Sequence, residues 1–237
     1  MRHPGPTAVV DAGSRGQTEA RGVKVYNVEY LGAVADEGQA PPPTVRGLVQ
    51  VAFVGRSNVG KSSLINRLVG RTQKPLAHVS RRPGKTRAIH FYRVRTEAGA
   101  FCLVDLPGYG YAQAPRRERA RWQRLVSRYL SGRSGPRGVV QLIDLRHGPS
   151  DEDLASLDRL ARLGLPALVA LTKADKLGPL RRQTAVARIL ERLRLDPEQV
   201  VPVSARTGEG AAELWAALRA LLWGAADEAA TGECRTP

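Results

Sequence analysis

The chain has 237 residues, enough for one α/β domain with a sizeable core plus tails. Its two cysteines, Cys102 in an apolar run and Cys234 in a polar tail, make a disulfide framework implausible and show no metal-ligand spacing, which fits a reducing cytoplasm. Lys and Arg number 37 against 22 Asp and Glu, a net charge of +15 that attracts polyanions and favours nucleic-acid contact, although only six of the basic residues are lysine and arginine richness can also reflect genome composition.

Residues 1–21 are rich in Gly, Pro and polar types and read as a disordered extension with no apolar core of a secretion signal. VKVYNVEYL (23–31) alternates apolar and polar residues as a strand does, and 35–47 reads as a loop. LVQVAFV (48–54) is a continuous apolar run, the mark of a strand buried on both faces. A helix is predicted from Ser62 to Val69, then a strand pair at 88–95 and 101–106. Beyond a helix at 115–131, strands at 139–145, 166–172 and 199–204 alternate with helices at 151–163, 179–194 and 209–223, and 225–237 is a polar tail. This alternation predicts an α/β fold, a mainly parallel doubly wound sheet with helices on both faces. Such sheets bind ligands at the carboxyl ends of their strands. No uncharged apolar run approaches the ~18 residues that span a bilayer, so no membrane association is expected.

The motifs fall where that rule places ligands. Gly55, Gly60, Lys61 and Ser62 fit G-x-x-x-x-G-K-[ST] between a predicted strand and a predicted helix. Four fixed positions match by chance in roughly 1% of chains this long, and the strand–loop–helix context lowers that further. Glycines let the backbone close around an anion, and successive N–H groups with the helix N-terminus face the phosphates. Lys61 is expected on the β- and γ-phosphates and the Ser62 hydroxyl on Mg²⁺. Thr172, Lys173, Ala174 and Asp175 fit [NT]-K-x-D after a strand. The carboxylate of Asp175 pairs with the ring N–H and exocyclic amine of guanine, and ATP, which lacks that donor pair, would leave it buried and unpaired. The stem of Lys173 packs on the base, and Val203–Ser204–Ala205 follows another strand with Ala205 N–H aimed at the guanine carbonyl.

Asp105, Leu106, Pro107 and Gly108 form D-x-x-G. Asp105 is expected to hold Mg²⁺ through water and Gly108 N–H to sense the γ-phosphate. In SRRPGKTR upstream, Thr86 is the candidate for a second hydroxyl on Mg²⁺, available only with the triphosphate. Many GTPases place a glutamine after that glycine to orient the attacking water; here Tyr109 stands there, so slow intrinsic turnover of roughly 10⁻⁴ to 10⁻² s⁻¹ is expected. Asn58 inside the loop has a side-chain carbonyl suited to a monovalent cation such as K⁺ against the phosphates, or else merely stabilises the loop. The chemistry assigned to Lys61, Thr86, Gly108 and Asn58 makes them the candidate catalytic groups.

GRSNVGKSS (55–63), PGKTR (83–87), DLPGYGYA (105–112), DLRHGPSDED (144–153), TKAD (172–175) and VSA (203–205) together resemble the EngB/YihA/YsxC GTPases, a subfamily of TrmE–Era–EngA-type P-loop GTPases. The resemblance spans roughly 22–224, with the extension 1–21 and the tail 225–237 outside it. It implies a Ras-like P-loop GTPase domain in a cytoplasmic, Mg²⁺-dependent protein, expected to be monomeric. It also implies action in large ribosomal subunit assembly and a need in normal cell division and septation. Carried over by position, the nucleotide site is Gly55, Arg56, Ser57, Asn58, Val59, Gly60, Lys61, Ser62 and Ser63; Pro83, Gly84, Lys85 and Thr86; Asp105 to Gly108; Thr172 to Asp175; and Val203 to Ala205.

One further segment bears on partners. In 115–133, Arg117, Arg121, Arg124 and Arg128 recur at helical spacing as one stripe, opposite Trp122, Leu125, Val126, Tyr129 and Leu130. The stripe reads either as a ribosomal RNA contact moved by the adjacent D-x-x-G segment or as a solvated face. The alternative to a GTPase switch is an RNA-binding module with a vestigial or purely regulatory nucleotide site, which intact Lys61, Ser62, Asp105 and Asp175 disfavour.

Overall fold

The computed structural model describes residues 23–73, 76, 88–109 and 116–224. Seven strands, β1 (Val25–Val34), β2 (Gln50–Gly55), β3 (Ile89–Thr96), β4 (Gly99–Asp105), β5 (Gly138–Asp144), β6 (Ala167–Thr172) and β7 (Val200–Pro202), form one sheet in the order β1-β3-β4-β2-β5-β6-β7. β4, β2, β5, β6 and β7 pair in parallel, and β1 and β3 add an antiparallel edge. Helices α1 (Lys61–Leu68), α2 (Arg116–Ser131), α3 (Asp151–Arg162), α4 (Pro179–Leu193) and α5 (Ala211–Trp223) supply the crossovers.

Apolar character decides which strands are central. Every residue of β2 is buried, as a strand covered on both faces must be. On one face, Leu64, Ile65 and Leu68 of α1 and Leu214, Trp215, Leu218 and Leu222 of α5 pack against Val51, Phe53, Val140 and Leu142. On the other face, Leu125, Tyr129 and Leu130 of α2 and Leu160 of α3 meet Ala52, Val54, Phe91 and Val104. Ile189 of α4 continues that layer over Ile143, Val169 and Leu171. The apolar side expected of α2 is therefore real, with Leu125, Tyr129 and Leu130 buried and Trp122 and Val126 half-buried.

Several strand boundaries shift from the sequence reading by one to three residues, and two of the shifts have a clear cause. β1 runs on through Gly32 to Val34 because register shifts, one of them between Tyr30 and Gly32, absorb extra residues without ending the pairing with β3. β7 stops at Pro202, since Ser204 turns back to take a hydrogen bond from Gly208 N–H on its carbonyl, at 2.8 Å. The strand order reverses at β2, flanked by β4 and β5, and the loop after β2 opens at that crevice.

Candidate functional site

The phosphate loop is built by the end of β2 and the start of α1. Asn58 takes a left-handed conformation at φ 63° and Gly60 lies at φ 106°, where a side chain is strained, so the chain curls through 56–60 before α1 begins at Lys61. Gly55 sits where a Cβ would come within 2.9 Å of Leu142 O, so the close approach of β2 to β5 requires glycine. Lys61 and Asp105 are both more than nine-tenths buried and form an ion pair between Lys61 Nζ and Asp105 Oδ1. The structure thus joins the G-K-[ST] lysine to the D-x-x-G carboxylate, 44 residues apart in sequence. Leu106 N–H donates to Phe53 O at 3.0 Å and Ser57 N–H to Tyr109 O at 3.0 Å, so residues 105–109 run directly beside the loop.

The [NT]-K-x-D segment and the VSA turn, expected to read the base, lie at the carboxyl ends of β6 and β7. Thr172 Oγ1 donates to Val59 O at 2.6 Å. Lys173, left-handed at φ 62°, extends its amine to Asn58 O at 2.7 Å and to Asp144 Oδ2 at 2.9 Å. The phosphate loop and the [NT]-K-x-D segment are therefore directly bonded. Ala174 N–H donates to Val203 O at 3.1 Å, tying that segment to the VSA turn. Asp175 accepts from Ser204 Oγ at 2.7 Å and Arg206 Nε at 2.9 Å. The Ser204 hydrogen bond, with Arg206 beside it, holds the Asp175 carboxyl below the usual carboxylate range, so it stays ionised. Gly60, Ser63, Arg67, Thr172, Lys173 and Asp175 are among the residues that line one cavity of about 390 Å³.

Three groups acquire roles that motif reading did not give them. Asp144, at the end of β5, grips Arg146 through two hydrogen bonds of 2.9 and 2.7 Å as well as Lys173. Burial alone would raise its pKa, but the Arg146 and Lys173 hydrogen bonds outweigh burial and hold it far below the ordinary value. Arg67 of α1 donates to Ala205 O and Arg206 O, each at 2.7 Å. The Tyr109 side chain, unlike its backbone, is engaged away from the phosphate loop: its hydroxyl donates to Asp153 Oδ1 at 2.6 Å and accepts from Gln141 Nε2. Burial, then the Asp153 charge, pushes that phenol far above its ordinary pKa. Gln141 also accepts from Ser156 Oγ at 2.8 Å, and Asp153 closes a capping box with Ser150 at the start of α3. The only sequence signals were a glutamine inside the apolar VVQLIDL and an S-x-x-D before a helix.

Pro83, Gly84, Lys85 and Thr86 lie outside the described residues. Among the described residues, no group of three or more His, Cys, Asp or Glu is arranged to hold a metal. Mg²⁺ bound beside a nucleotide takes one or two protein oxygens and fills its remaining positions with water and substrate phosphate. Ser62, on the first turn of α1, and Asp105 offer oxygens of that kind. No helix among the described residues is long and apolar enough to cross a membrane.

A strand–loop–helix anion cradle, a lysine–aspartate pair at its floor and an ionised carboxylate at the base end define a P-loop GTPase domain. The family described as 50S ribosome-binding GTPase matches residues 50–173. The chain belongs to the EngB family of GTP-binding proteins. It is 48% identical over 84% of its length to the probable GTP-binding protein EngB of Gemmatimonas aurantiaca, covering 94% of that protein. It is 46% identical over 84% of its length to the Syntrophomonas wolfei protein of the same name, covering 99% of it. A solved structure of a probable EngB superposes over 73% of this chain and 98% of its own, with TM-score 0.58 at 24% identity. Era from Aquifex aeolicus, solved with GDP·AlF4⁻, superposes over 74% of this chain and 57% of its own, with TM-score 0.61 at 23% identity. At those identities the superpositions show the Ras-like fold, and the family assignment rests on the sequence relatives.

Proposed function

We propose that this chain is a guanine-nucleotide switch that hydrolyses GTP slowly and acts in assembly of the large ribosomal subunit. The observation that carries the nucleotide half is the direct bonding of its recognition segments. Lys173 and Thr172 bond the 55–63 loop, Ala174 bonds Val203, and Ser204 bonds Asp175. Residues 55–63 would wrap the phosphates, with Lys61 moving from Asp105 to the β- and γ-phosphates. Ser62 and Asp105, with Thr86, would hold magnesium, which neutralises phosphate charge when bound. Gly108 N–H would meet the γ-phosphate, and Asp175, Lys173 and Ala205 the base. In hydrolysis a water oxygen bonds to the γ-phosphorus as the bond to the β–γ bridging oxygen breaks, giving GDP and phosphate. Tyr109 is held by Gln141 and Asp153, so water must be oriented by another group or by a partner, which supports slow unassisted turnover. Asn58, with its backbone bent into the loop, is the candidate for K⁺ coordination, read out as a GTPase rate higher in K⁺ than in Na⁺.

The ribosomal half is supported by the family's description as ribosome-binding and by the net charge of +15. Era, a similar fold, has been solved with MgGDPNP and a segment of 16S ribosomal RNA. The protein would act in the cytoplasm as a monomer, with the role in normal division and septation that the family resemblance implies. Co-sedimentation with large subunits and their precursors tests it, with a non-hydrolysable GTP analogue against GDP at two salt concentrations. Binding favoured by the analogue and weakened by salt is expected; equal or absent binding in both states removes the ribosomal reading and leaves a GTPase with another partner.

A further inference from the structure

The geometry points to Arg67 as a positioning residue for guanine recognition, acting from α1 on the turn that reads the base carbonyl; this rests on the guanine reading above. α1 starts at the proposed phosphate end with Lys61 and Ser62, and about one and a half turns later presents Arg67 to the cavity. There its Nε bonds Ala205 O and its Nη2 bonds Arg206 O, each at 2.7 Å, across 138 and 139 residues of sequence. A guanidinium fork on two successive carbonyls fixes two peptide planes together, which a single-point donor does not do.

Those planes belong to the turn that matters. Ala205 N–H, the group expected to meet the guanine carbonyl oxygen, lies in the peptide plane just before those two and is joined to them at the Ala205 α-carbon, so their placement bears on where it is aimed. From inside, the turn is held by Thr207 N–H to Ser204 Oγ at 3.1 Å and by Ser204 N–H to Glu209 O at 2.9 Å. These bonds fix Ser204, and Gly208 N–H to Ser204 O at 2.8 Å holds one end of the plane that carries Ala205 N–H, while Arg67 holds the plane that follows it and the next, on either side of the Arg206 α-carbon. The same grip sets the backbone from which Arg206 reaches Asp175 Oδ2 at 2.9 Å. Asp175 keeps a second hold through Ser204, so loss of Arg67 should fall mainly on the Ala205 contact. Through Arg67, the helix that begins at the phosphates also sets the far wall of the base pocket.

The test compares three nucleotides on the full chain by titration calorimetry: GDP; 6-thio-GDP, whose sulfur is a poorer acceptor at the position Ala205 reads; and IDP, which lacks the amine Asp175 reads. In the native protein both analogues should bind more weakly than GDP. In Arg67→Met, GDP should weaken roughly tenfold, the 6-thio penalty should shrink towards none, and the IDP penalty should persist. Arg67→Lys, with one donor head, should fall between. Because each penalty is a ratio within one variant, partial misfolding does not disturb it. A 6-thio penalty unchanged in Arg67→Met, whether or not all three ligands weaken together, overturns the proposal and leaves Arg67 a structural tie. No penalty for either analogue in the native protein sinks the guanine reading itself.

Discussion

Asp144 gathers two cationic side chains on one carboxylate, and its charge state decides whether Lys173 stays against the phosphate loop. With Arg146 on both oxygens and Lys173 on Oδ2, the ionised form is favoured strongly over the acid. A carboxyl with a depressed folded pKa contributes stability that is present above its unfolded value, about 3.9, and is lost as pH falls through the folded value. The Asp144→Asn variant should therefore be less stable than the native protein at neutral pH. The gap in urea midpoint should hold down to about pH 4, then narrow as the native protein loses its charge. A gap that widens on acidification would contradict this assignment. The same variant should bind GDP more weakly, because Lys173 loses the carboxylate that holds its amine beside Asn58 O.

At the scale of elements, α2 offers the sharpest contrast between sequence pattern and tertiary context. The arginine stripe and the apolar side are both present, but Arg121 pairs with Asp36 and Arg124 with Glu37, in the connection between β1 and β2. Exposed pairs of this kind contribute about 0–1 kcal/mol, so they hold α2 loosely while lowering the net charge it presents. Arg117 and Arg128, also exposed, make no ion pair among the described residues. If α2 faces ribosomal RNA, Arg117→Ala and Arg128→Ala should each lower the slope of log affinity against log salt by about 1. Arg121→Ala should lower it less, since its charge is already compensated by Asp36. Salt titrations of large-subunit binding read this directly, and equal slopes for all variants would take α2 out of the footprint.

Strand–helix alternation made the sheet legible, and because phosphate and guanine chemistry demand particular residue types at fixed local spacing, Gly55–Ser63, Asp105–Gly108 and Thr172–Asp175 stood out as the candidate site. Arg67, Arg206, Asp144 and the Tyr109–Gln141–Asp153 cluster act through neighbours that are distant in sequence, as with Arg67 and Ala205, 138 residues apart. No local pattern separates Arg67 from any other arginine on a helix surface. Gln141 is fully buried within an apolar strand, and its signal made sense only once α3 and Tyr109 supplied its partners.

Across the whole molecule, a bound nucleotide would reinforce elements that Lys61, Thr172, Lys173 and Arg67 already link outside the sheet. One ligand would touch the end of β2, α1, the end of β4 and the turns after β6 and β7, so binding should stabilise the entire domain rather than one loop. A ligand that binds only the folded state adds RT ln(1 + [L]/Kd), about 2.7 kcal/mol at one hundred times Kd. For a chain this size each kcal/mol moves the melting temperature by about 2–4 °C. Saturating GDP with magnesium should thus raise Tm by roughly 5–11 °C, ATP at the same concentration should leave it nearly unchanged, and chelation of magnesium should reduce the GDP shift. Lys61→Ala removes the charge at the phosphate end and should abolish most of the shift. Equal protection by ATP would mean that Asp175 and the turn after β7 do not read the base, and the link between the two ends of α1 would lose its purpose.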